Sequence, residues 1–113
     1  METDRKLDAL VAEKVMGYQG YPDLEPPHMI RRYGRDDRIP LPCFSADIAV
    51  AWRVVEKMIS IGYKCVSVDY VGIWRCFMTR GGFGKPPVEA ATAPLAICLA
   101  ALEAVGEEVE DVQ

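Results

Sequence analysis

Tyr63-Lys64-Cys65-Val66-Ser67-Val68-Asp69-Tyr70-Val71-Gly72-Ile73-Trp74-Arg75-Cys76-Phe77-Met78-Thr79 decides the fold of this chain. β-Branched and aromatic residues crowd two runs, Lys64 to Tyr70 and Ile73 to Thr79, on either side of Val71-Gly72, where glycine can take the positive φ of a tight turn. The stretch is a β-hairpin. In its first strand Val66, Val68 and Tyr70 share one face and Cys65, Ser67 and Asp69 the other. In the second, Trp74, Cys76 and Met78 alternate with Ile73, Arg75 and Phe77, so that run is apolar on both faces and predicts a sheet covered on each side.

Working outward, the glycine-rich Arg80-Gly81-Gly82-Phe83-Gly84-Lys85 and Pro86-Pro87 follow the hairpin, and the segment from Arg80 to Ala91 reads as a loop. A third helix then starts at Thr92 or Ala93, because Pro94 is tolerated only in a helix's first turn, and stops at Gly106. Leu95, Leu99, Leu102 and Val105 form its packing face, and Ala96, Ala100 and Ala101 allow close approach. Residues 107–113 are an acidic tail. Before the hairpin, Ser45 is placed to cap a second helix whose core stripe is read as Ile48, Trp52, Val55 and Ile59, with Ala51 and Met58 alongside and Gly62 as its stop. A first helix spans about Asp4 to Met16 on the spacing of Leu7, Leu10, Val11 and Val15, with Thr3 as cap and Gly17 as stop. Between them, residues 18–44 carry Pro22, Pro26, Pro27, Pro40 and Pro42 with Gly20 and Gly34, which predicts turns with a short extended piece around Met29 to Tyr33.

With 113 residues, half of them hydrophobic, the chain is long enough for one domain, 1–113, with its own core. The opening residues lack an apolar signal-peptide core and no apolar run is long enough to span a bilayer, so the expected location is the cytoplasm, with no membrane partner. Cys43, Cys65, Cys76 and Cys98 form no C-x-x-C pair and sit among apolar neighbours, as small buried hydrophobes with free thiols do; no metal site is expected. A net charge of −4 argues against general nucleic-acid binding. The sign asymmetry is sharper: Glu103, Glu107, Glu108, Glu110 and Asp111 oppose a middle rich in arginine.

Three ordered blocks resemble the phage ABA sandwich domain, a family of small phage and prophage proteins. They are Leu7-Asp8-Ala9-Leu10-Val11-Ala12-Glu13-Lys14-Val15-Met16-Gly17, then Phe44-Ser45-Ala46-Asp47-Ile48-Ala49-Val50-Ala51-Trp52 with Val54-Val55-Glu56-Lys57-Met58, and last Thr92-Ala93-Pro94-Leu95-Ala96-Ile97-Cys98-Leu99-Ala100-Ala101-Leu102 with Val105-Gly106. The resemblance covers nearly the whole chain and implies helices on both faces of a small sheet. It brings no catalytic residues. The expected fold is therefore α/β (α+β): a three-layer helix/sheet/helix sandwich with a short antiparallel sheet and three main helices. An isolated hairpin is marginal and exposes two pairing edges, so either a third strand from before Ser45 or a second subunit must complete the sheet, and a homo-oligomer is expected.

Two clusters suit an anion. Arg31, Arg32, Tyr33 and Arg35 could present guanidinium forks to phosphate with Tyr33 stacking on a base; alternatively Asp36 and Asp37 neutralise a solvated loop. Arg80, Gly81, Gly82, Phe83, Gly84 and Lys85 sit after a strand and before a helix, where backbone amides can hold an anion. The spacing is not that of a Walker A loop, and Pro86 stands where Ser or Thr would be. His28 is the only histidine and has no nucleophile or carboxylate at a catalytic spacing, so no triad or H-E-x-x-H site can be built, and Asp47, Glu56 and Asp69 read as a helix first-turn residue and surface charges. Trp52 and Trp74 read as core. The expectation is a non-catalytic phage binding protein, without cofactor, that sequesters an anionic nucleotide-type signalling molecule and so counters host defence. The alternatives are a module that binds a host protein through the acidic face of helix three, and a structural accessory without ligand.

Overall fold

A computed structural model describes residues 5–20, 29–31, 38–63, 65–79 and 86–106. Helix α1, Arg5–Leu10, runs into a wider π-helical turn, Val11–Val15, in which the Met16 N–H donates to the Val11 carbonyl at 3.0 Å. Leu7, Val11 and Val15 are buried, as their spacing predicts, and Gly17 turns the chain away at φ +79°. Three short strands follow: β1 (Gln19–Gly20), β2 (Met29–Arg31) and β3 (Arg38–Pro40), paired antiparallel in that order. The extended piece expected near Met29 is therefore present. It builds a small sheet of its own and does not complete the hairpin's sheet.

Helix α2 spans Ile48–Ser60. Its cap is Asp47, not Ser45: the Asp47 carboxylate accepts from the N–H groups of Ala49 and Val50. Ser45 is instead buried, and its N–H donates to Asp8 Oδ1 at 2.8 Å, tying the turn before α2 to α1. The buried stripe of α2 is also a correction. Ala51, Val54, Val55 and Met58 face inward at i, i+3, i+4 and i+7, whereas Ile48, Trp52 and Ile59 are about half exposed. Both stripes are apolar in sequence. The inner one wins because α2 packs on α3 and the π-turn, with α3 as its main partner in place of the strands, and the alanine-rich α3 admits small side chains at close approach.

The hairpin is β4 (Cys65–Tyr70) and β5 (Trp74–Thr79), paired without a bulge from Cys65↔Thr79 to Tyr70↔Trp74, with Gly72 at φ +85° in the turn. The third strand is β6, Val88–Ala90, from the segment read as loop; it pairs antiparallel with β5 and gives the order β4-β5-β6. Helix α3, Ala93–Ala104, starts as expected, with the Thr92 hydroxyl accepting from the Leu95 N–H at 3.3 Å and Pro94 in the first turn.

α3 is the centre of the molecule. It touches β5 and β6 and also α2, α1 and the π-turn, so Ala96, Ile97, Cys98, Ala100, Ala101 and Leu102 are all buried around it. Leu102 lies in the core as expected, while Leu95 and Leu99 are half-buried at its margin. Phe44 and Leu41 close the core from the proline-rich side. The result is an α+β sandwich of helices with a three-stranded antiparallel sheet. Cys76 and Cys98 are buried as expected, but Cys43 is exposed. Among the described residues no helix is long and apolar enough to cross a membrane.

Candidate functional site

The hairpin register sorts the sheet into two faces. Val66, Val68, Trp74, Cys76, Met78, Val88 and Ala90 pack toward the core, and Ser67, Asp69, Arg75, Phe77 and Glu89 line the other face. That second face is polar, so strand β5 is apolar on both sides only at Phe77. Asp69 and Arg75 are register partners, and the Arg75 guanidinium grips the carboxylate with two bonds, Nε to Oδ1 and Nη2 to Oδ2, both 3.0 Å. The hydrogen bonds from Arg75 hold Asp69 below the usual carboxylate range, and the same bonds raise Arg75 further.

Beside this ion pair lies a depression of about 130 Å³ lined by Ser67, Asp69, Arg75, Phe77 and Pro87. It offers a hydroxyl, a guanidinium with three of its five N–H donors uncommitted to Asp69, a half-buried ring and a proline wall. Pro87, two residues beyond Lys85 in sequence, closes one side of it.

Of the ten residues expected to hold a ligand, Arg31 ends strand β2, where its backbone is opposite Arg38 of β3 and Gln19 of β1. Arg32, Tyr33, Arg35, Arg80, Gly81, Gly82, Phe83, Gly84 and Lys85 lie outside the described residues, as does His28. Ser67, Arg75, Phe77 and Pro87 were not singled out by the sequence reading as ligand residues. Strict alternation in the hairpin was the available signal, since it places Ser67, Asp69, Arg75 and Phe77 together on one face.

A second polar cluster is internal. Asp8 is fully buried in α1, accepts from Ser45, and lies near Cys98 of α3. Burial pushes the Cys76 thiol up to about 12 and raises that of Cys98 too, with the Asp8 carboxylate and Cys76 adding to the effect on Cys98. A thiol so shifted is a poor nucleophile. Among the described residues no three His, Cys, Asp or Glu side chains come together to hold a metal ion. The α2 surface carries the remaining feature: Ile48, Trp52 and Ile59 fall within about 40° of one another around the helix and are each half exposed.

Comparison with known proteins gives a consistent result. No curated protein matches the chain. A crystal structure of a phage protein from Bacillus cereus ATCC 14579 is 34% identical, with a TM-score of 0.76 over 97% of this chain and 93% of that one. The family model for the phage ABA sandwich domain matches residues 9–102, which includes α2, the whole hairpin sheet and all but the last two residues of α3. The chain belongs to the phage ABA sandwich domain family.

Proposed function

We propose that this phage-family chain is a non-catalytic binding protein that takes up a small anionic, nucleotide-type ligand and, by holding it, withdraws a signalling molecule from host defence. The observation that carries the reading is the depression lined by Ser67, Asp69, Arg75, Phe77 and Pro87. Its half-buried Phe77 ring suits the flat face of a base, while Ser67 and the uncommitted N–H groups of Arg75 suit polar edges. Arg80 and Lys85 of the glycine-rich segment, and Arg31, Arg32 and Arg35 of the other basic segment, would supply the charge a phosphate needs. Sequestration requires no reaction, in keeping with a sequence in which no catalytic constellation can be built.

Heating the purified protein and analysing the released small molecules by mass spectrometry tests this. A co-purifying nucleotide is the expected result. A clean protein that captures a single host partner would replace the reading with a second one, a module that blocks a host protein. The half-exposed Ile48, Trp52 and Ile59 favour that alternative's surface on α2, because α3 is enclosed by the sheet and the other helices.

A further inference from the structure

Among the described residues strand β4 is the outer strand of the main sheet, and its outer edge is unusually well suited to pairing. The Val71 N–H donates to the Ile73 carbonyl at 3.0 Å, so the alternation of an antiparallel ladder puts the bonds to β5 at Asp69, Ser67 and Cys65. The N–H and C=O groups of Val66, Val68 and Tyr70 consequently point away from β5, and no described group takes them. Edge strands are normally blunted by lysine, proline or a bulge. Residues 65–70 contain neither residue, and the register with β5 is unbroken. At the end of this edge Tyr70, Val71 and Ile73 are exposed apolar residues.

We propose that β4 pairs antiparallel with β4 of a second copy about a two-fold axis through Val68, joining two three-stranded sheets into one. The strand is self-complementary in that register. Val68 meets the partner's Val68 and Val66 meets the partner's Tyr70, so every outward backbone group finds a mate on the apolar face. On the polar face Ser67 meets the partner's Asp69, hydroxyl to carboxylate. The two Asp69 carboxylates are staggered, and each is already held by its own Arg75. Shifting the axis to Asp69 would set the carboxylates directly opposite each other, which disfavours that register. Because Ser67 and Asp69 also line the depression, pairing brings the two depressions together and lets the partner's Asp69 reach the rim of each. The proposal stands without the ligand reading.

Light scattering of the full chain, with circular dichroism as a control, tests it. Ser67 is exposed, so substitutions there leave the fold intact. Wild type is expected to have the mass of a dimer at micromolar concentration. Ser67→Asp places a carboxylate opposite the partner's Asp69 at both symmetric positions and should weaken the dimer by about tenfold or more, while Ser67→Lys faces the same carboxylate and should keep it. A wild-type monomer throughout the micromolar range, or a dimer to which the two variants make the same difference, would overturn the proposal.

Discussion

Asp8 shows how much one side chain can decide. Its carboxylate is removed from water and accepts the Ser45 N–H at 2.8 Å, a bond that joins residues 37 positions apart. Removing the acceptor leaves a buried donor unpaired, so Asp8→Ala should cost about 1–3 kcal/mol in urea unfolding and Asp8→Asn, which keeps an acceptor, less. An unchanged midpoint for Asp8→Ala would show that the bond is dispensable. Cysteine reactivity gives a second check at this scale. In the native protein at mildly alkaline pH, iodoacetamide should modify the exposed Cys43, whereas Cys76, with its thiol pushed up to about 12, and Cys98 should react only on unfolding. Peptide mass spectrometry reads this directly, and native labelling of Cys98 at the rate of Cys43 would contradict the packing. The Asp69–Arg75 pair has the opposite pH sense. A carboxylate held below its unfolded value adds stability above that unfolded value and loses it as pH falls through the folded one, so Asp69→Asn should flatten the acid limb of the stability curve. Both groups are exposed, and salt should erase most of the difference.

At the scale of elements, α2 marks where periodicity stops being decisive. Two apolar stripes lie side by side on this helix, and the sequence reading favours the bulky one, Ile48, Trp52, Val55 and Ile59, of which only Val55 is buried. Packing selects the other: Ala51, Val54, Val55 and Met58 are buried, and α2 packs chiefly on the alanine-rich α3. Met58→Ala and Leu102→Ala should each cost about 2–5 kcal/mol, while Trp52→Ala should stay within about 1 kcal/mol by thermal or chemical unfolding. The reverse order would return Trp52 to the core. The helix ends were more legible than the faces. Thr92, Pro94, Gly62 and Gly106 act as cap, first-turn residue and stops because these roles depend on local backbone chemistry alone. The Asp47 cap was missed because Ser45, two residues earlier, is an equally good cap by type; Ser45 lies in the turn before α2, and the helix starts only after Asp47. Strand β6 was missed because three residues between Pro87 and Ala91 carry no periodicity of their own and gain strand character from pairing with β5.

For the whole molecule, the fold class and the family were legible because three separated blocks and a hairpin point the same way. The stacking was not, since α3's contacts with sheet, α1, π-turn and α2 together depend on long-range packing. The candidate site was half legible: alternation puts Ser67, Asp69, Arg75 and Phe77 on one face, but Pro87 joins them only because β6, which follows it, pairs with β5. The proposed ligand of the Ser67, Arg75 and Phe77 surface, with cations from the two basic segments, is a nucleotide-type anion. Isothermal titration calorimetry of the intact protein against linear and cyclic nucleotides, repeated with Arg32→Ala and Arg80→Ala, tests it most directly. Saturable binding of at least one nucleotide is expected, with a loss of roughly ten- to a hundredfold in affinity, about 1.5–3 kcal/mol, for a substitution that removes a phosphate contact. Absence of binding across the panel, or an affinity that neither substitution changes, would contradict it.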